Sequence, residues 1–239
     1  MKKYLIIILL LIITIVLNSC KDGTIVSSSE NISKEVRDIS YFDEINVEDG
    51  FLCFISYGEV EKIEIEANEN LHQYIEVKVE KDELEVEIKD KIIFDNKSLV
   101  KVYITYNKLK KIDASGGSKI TFENEIKQTK LKIDLNGGSV LNAQVNCQDL
   151  EADVSGGGKL NLTGKTGYCK LELSGGSSSE SYDFLIDNLV CEISGGGVVS
   201  HTVNKTIEID ASGGSTLSYK GEAVITKQDL SGGSSVVKK

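Results

Sequence analysis

The sequence predicts an all-β fold: a right-handed parallel β-helix of about seven coils of about 19–20 residues, preceded by a β-strand and hairpin cap region. Three observations predict it. Between residues 112 and 239 one phrase recurs seven times: an acid, an apolar or small residue, Ser or Asn, then Gly-Gly. The first glycines of the pairs are residues 116, 137, 156, 175, 195, 213 and 232, at intervals of 21, 19, 19, 20, 18 and 19. Within each period apolar and charged residues alternate, as in a strand with one buried and one wet face.

Counting from the first Gly of each pair, positions −6, −4 and −2 point inward: Leu131, Ile133 and Leu135 in one coil, Cys169, Leu171 and Leu173 in another. A further apolar residue follows at +4, as in Ile120, Leu141, Leu160, Val199, Leu217 and Val236, with Ser179 the exception. The Gly pair lies between them, where the chain must bend with positive φ or approach its neighbour closely. Stacked at about 4.8 Å per coil, seven coils rise about 30 Å, and parallel crossovers favour the right hand. The corner differs from calcium-binding nonapeptides of G-G-x-G-x-D type, because its acid precedes the Gly pair and the period is not nine.

Residues 1–19 read as a lipoprotein signal peptide. Lys2 and Lys3 precede an apolar run from Tyr4 to Leu17, too short to span a bilayer. The run ends in Leu17-Asn18-Ser19-Cys20, which resembles a lipobox and makes Cys20 the expected site of lipid attachment. Residues 20–36, polar and Ser-rich, are expected to form a flexible tether.

Residues 37–110 form an N-terminal β region without the Gly-Gly period. The runs 75–80 and 83–88, joined at Lys81-Asp82, predict a hairpin, and Asn70–Tyr74 a short helical turn. The region is expected to cover the open end of the repeat region 111–239, making 37–239 one continuous domain.

The order of these segments is itself informative. Tyr41-Phe42-Asp43-Glu44-Ile45, then Ile63 to Leu71, then Val102-Tyr103-Ile104-Thr105, lead into Leu109 to Ser118. This order resembles the "putative auto-transporter adhesin, head GIN domain" family of exported Bacteroidota-type proteins. The resemblance covers about residues 37–237 and implies an exported β-helical domain, an adhesin by label, with no catalytic residues attached.

Composition narrows the function. The net charge of −10 becomes −12 once residues 1–19, with two lysines and no acid, are removed. Such a surface repels nucleic acid, which is therefore not an expected partner. Arg37 is the only arginine, and His72 and His201 are the only histidines. No acid, base and nucleophile cluster breaks the repeat, so no catalytic residue is assigned. Cys53, Cys147, Cys169 and Cys191 show no CxxC and no zinc spacing, and are expected to be free buried thiols.

The remaining candidate site is the acid of each phrase: Asp113, Asp134, Asp153, Glu172, Glu192, Asp210 and Asp229. Stacking makes these an outward ladder of like charges, which destabilises neighbouring strands unless offset. Lys111, Lys132, Lys170 and Lys227 are placed to do so. No cofactor and no metal site is expected, beyond weak divalent-cation binding where Glu192, Glu208 and Asp210 lack a lysine.

The expected function is that of a non-catalytic cell-envelope lipoprotein, an adhesin or ligand-binding β-helix. It would be held to the outer membrane by its lipid and would meet a glycan or protein ligand. The alternatives are a polysaccharide-active enzyme on the same scaffold and a structural envelope spacer.

Overall fold

The protein is described by a computed structural model covering residues 23–239. Cys20 and the signal peptide lie outside the described residues. The repeat region forms the expected stack. Long strands such as Val140–Val154 and Lys159–Leu173 lie parallel and in register from Val140 opposite Lys159 to Val154 opposite Leu173. The inward column Ile112, Ile133, Ala152, Leu171, Cys191 and Ile209 is continuous from coil to coil and at most 1% exposed. The 20-residue interval is absorbed by a register shift between Lys159 and Gly164 opposite Ser178–Ile193, and the 18-residue interval by shifts between Ser181 and Leu185 and between Ile186 and Asn188.

The two glycines of a pair do different things. At Gly213, φ is +80° and a Cβ would sit 2.3 Å from the Gly195 carbonyl oxygen, so the coils close on each other there. At Gly176 a Cβ would meet nothing within 4 Å. The residue after each pair is also constrained. Ser118, Ser139, Ser177 and Ser215 are buried, each donating its hydroxyl to the carbonyl three residues back, at 2.7–2.8 Å. At Ser118 and Ser139 the backbone N–H of the same serine also reaches that carbonyl, at 3.2 Å, so hydroxyl and amide close the turn together.

The N-terminal β region does cap the stack, but it also extends it. Glu44–Val47 and Leu52–Tyr57 run parallel to Lys111–Ala114 and Lys119–Phe122, forming a further coil. Its corner is Asp49-Gly50, with φ +62° and +79°; Asp tolerates the left-handed region better than most residues and replaces the first glycine. Glu83–Ile88 and Val100–Tyr106 form the next layer out, parallel to Glu44–Val47 and Leu52–Tyr57. The spatial order therefore departs from chain order: the chain enters one layer inside the end, turns outward, then passes back to begin the repeats.

Antiparallel strands close this end. Ile75–Glu80 pairs with Glu83–Ile88 in the expected hairpin, with φ +52° at Lys81 and +67° at Asp82. Lys62–Asn68 pairs with Val100–Tyr106. The expected helical turn is a 3-10 helix, Glu69–Tyr74.

The flexible tether expected over 20–36 is not what the structure shows from residue 24 onward. Thr24–Val26 pairs parallel with Ile92–Phe94, and Ile32–Arg37 pairs antiparallel with Lys62–Asn68. Polar composition misled here because an edge strand needs backbone partners more than a buried face. Side chains add to the pairing: Arg37 Nη2 donates to the His72 carbonyl at 3.0 Å, and Asn68 Nδ2 to the Ser29 carbonyl at 2.6 Å.

Candidate functional site

The seven acids stand in one unbroken register: Asp113, Asp134, Asp153, Glu172, Glu192, Asp210 and Asp229 each face the next across a parallel pair. Asn46 continues the line toward the N-terminal layers, opposite Asp113. Lysines two residues earlier on the same strands thread the lower half. Lys111 Nζ lies 2.7 Å from Asp113 Oδ2 and 3.3 Å from Asp134 Oδ2; Lys132 Nζ lies 3.5 Å from Asp134 and 3.9 Å from Asp153. Lys170 pairs with Glu172 at 2.5 Å.

Crowding shows in the proton affinities. Partial burial, aided by the neighbouring Asp134, pushes Asp113 up to about 6 despite Lys111. Burial also opposes ionisation of Asp134. The hydrogen bond from Asp113, together with Lys111 and Lys132, nevertheless holds it below the usual carboxylate range. Burial and the Glu172 charge push Asp153 up to about 6. In the upper half, Glu192, Asp210 and Asp229 have no lysine within ion-pair distance among the described residues. Lys227 keeps the regular register opposite Glu208, two residues before Asp229, without coming within ion-pair distance of a ladder acid. Asp153, Glu172, Glu192 and Asp210 line a shallow groove of about 300 Å³ together with Ser155, Ser174, Ser194 and Ser212, the serines immediately before the Gly pairs. Among the described residues no group of three His, Cys, Asp or Glu is arranged to hold a metal ion.

A second groove, of about 570 Å³, lies beside it on the stack. Lys110, Lys130, Lys132 and Lys170 line it together with the acids Asp149 and Glu151, with Leu131 and Leu150 beneath and Tyr168 at one side, so lysines outnumber acids four to two. Tyr168 is 40% exposed and stands in an outward column of Lys130, Asp149 and Asn188. Two other tyrosines of the stack differ: Tyr219 is buried, and the Tyr182 ring is covered by Lys220 Nζ at 4.4 Å. Periodicity alone finds this groove once the column seven residues before each Gly is read.

The groups with reactive potential point the other way. His201 is 1% exposed; its Nδ1 donates to the Ser181 carbonyl at 3.0 Å, and its Nε2, 2.9 Å from Ser179 Oγ, then accepts. Burial lowers its pKa to about 4, so it is a neutral packing histidine against Phe184. Ser179, the polar exception in the +4 column, is its partner. His72 is buried as well, bonded to Ser33 Oγ at 3.1 Å. Cys53, Cys147, Cys169 and Cys191 are free and buried, and burial pushes all four thiols up, away from the reactive thiolate.

Comparison with solved structures finds the same fold. A protein described as a putative adhesin from Bacteroides fragilis NCTC 9343 aligns with TM-score 0.82 at 20% identity, covering 90% of this chain and 99% of its own. A putative adhesin from Parabacteroides merdae ATCC 43184 aligns with TM-score 0.73 at 19% identity, covering 91% and 100%. A protein described as a putative lipid binding protein from Parabacteroides distasonis ATCC 8503 aligns with TM-score 0.73 at 16% identity, covering 90% and 100%. Among curated proteins no match is found. A family model matches residues 41–223, ending just before the strands of the seventh coil, and the chain belongs to that family, described as "Putative auto-transporter adhesin, head GIN domain".

Proposed function

We propose that this chain is a non-catalytic binding module of the cell envelope, anchored through lipid on Cys20, that holds a glycan or protein ligand on the outer face of its stack. Family membership supports the adhesin class. The observation that carries the non-catalytic part is that both histidines and all four described cysteines face inward. The lysine and Tyr168 groove is the proposed ligand site. Its exposed ring offers a face for a sugar or an apolar side chain, and its lysines offer charge for carboxylate or sulfate groups on an otherwise acidic protein.

The test is a glycan array with a parallel pull-down from native envelopes, run beside an activity screen on acidic polysaccharides. Binding without turnover supports the proposal. Turnover that vanishes on replacing one ladder acid supports the polysaccharide-active alternative, and absence of any ligand supports the spacer.

A further inference from the structure

The position of the first strand relative to Cys20 carries an inference about how the domain sits, and it rests on the lipid anchoring proposed above. Thr24–Val26 is bonded to Ile92–Phe94, beginning with Thr24 N donating to the Lys91 carbonyl at 2.7 Å. The chain beyond stays fastened: Ser28 Oγ donates to Asp95 Oδ1 at 3.1 Å, and Asn70 Nδ2 to the Ser27 carbonyl at 2.8 Å. The link from the anchor to the folded body is therefore residues 20–24, at most about 14 Å when extended.

That small two-stranded sheet turns an apolar pair outward. Ile25 and Ile93 lie directly opposite each other and are 69% and 48% exposed. Gly23, the first described residue, lies against this pair, since a Cβ there would sit 2.6 Å from Ile93 Cδ1. An exposed apolar pair a few residues from a lipid anchor can reach the headgroup boundary, which is about 5–7 Å deep per leaflet. The chain is acidic overall, so apolar contact rather than attraction to anionic lipid is the contact proposed, and neutral vesicles suffice to test it.

We propose that Ile25 and Ile93 rest on the leaflet that carries the Cys20 lipid, so that the domain is seated at the membrane by its N-terminal layers rather than held away on a long tether. The protein contains no tryptophan, so a single introduced indole reports its own surroundings. Full-length protein is expressed with a fatty-acid label and purified as Ile25→Trp, Ile93→Trp and, at the far end of the stack, Val224→Trp. Each is reconstituted in phosphatidylcholine vesicles with and without bromine high on the acyl chains.

The expected result is about twofold quenching for Ile25→Trp and Ile93→Trp, and none for Val224→Trp, since an interfacial side chain sits about 5–10 Å into the boundary. Label on Cys20 with no quenching at positions 25 and 93 overturns the seating alone. Absence of label overturns the anchoring and the seating with it. Equal quenching at all three positions overturns it too, because the end-on orientation is then wrong.

Discussion

Replacing Gly213 by Ala tests the stacked corner at its tightest point. At φ +80° a side chain costs about 1–2 kcal/mol against the right-handed regions. The new Cβ would also lie 2.3 Å from the Gly195 carbonyl oxygen and 3.0 Å from its Cα, both backbone atoms that cannot rotate away. Relief requires the two coils to part, which breaks the 2.7 Å bond from Gly214 N to that same oxygen and loses about another 1 kcal/mol. With residual strain the expected loss is about 3–5 kcal/mol. Gly176 provides the control: a Cβ meets nothing there, and Gly176→Ala should be neutral or stabilising by up to about 1 kcal/mol through the unfolded chain. Urea melts at neutral pH, followed by far-UV circular dichroism and tyrosine fluorescence, measure both. If the two substitutions prove equally harmless, or equally damaging, the division of labour within the Gly pair is wrong.

Three further outcomes are expected. Leu171→Ala, with only the small Ala152 and Cys191 in register on either side, should lose about 3–5 kcal/mol in the same melts, while Lys170→Ala on the wet face loses less than about 0.5. The lowered pKa of His201 favours the folded state only while the ring is neutral. That contribution is complete above about 6.5 and lost as pH falls toward 4, about 3 kcal/mol in all. Asp113 and Asp153, with raised values, act in the opposite direction over an overlapping range. The His201 share is therefore read as the difference in pH slope between the wild type and His201→Gln, which should lack it. Cys20→Ala should accumulate as an unprocessed precursor without fatty-acid label; a labelled mutant contradicts the anchoring.

Much of this was legible because the repeat region obeys one rule coil after coil. The period placed the ladder acids, the inward columns and the corners, and Lys81-Asp82 marked its hairpin. What escaped reading was nonlocal. Asp49-Gly50 makes the same corner as a Gly pair, but nothing in Val47-Glu48-Asp49-Gly50 announces that it stacks beneath Gly116. Nor does local pattern reveal that the layer of Glu83–Ile88 lies outside that of Glu44–Val47, since both alternate alike. Thr24–Val26 and Ile32–Arg37 gained their strand conformation from partners at residues 92–94 and 62–68, not from their own composition. The corner serines were visible as a small residue after every pair, yet their hydroxyl bonds only became meaningful with the turn in place.

The central claim, that the outer face of the stack binds a ligand without transforming it, is tested most directly by titration calorimetry of the strongest glycan or protein found in the array and pull-down. Wild type and Tyr168→Ala would be compared at equal stability. The account predicts saturable binding, unchanged ligand recovered afterwards, and a loss of about tenfold or more in affinity for Tyr168→Ala, the size expected for removing one stacking ring. Equal affinity in the two proteins would contradict the assigned groove, and a chemically altered ligand would contradict the binding-only function.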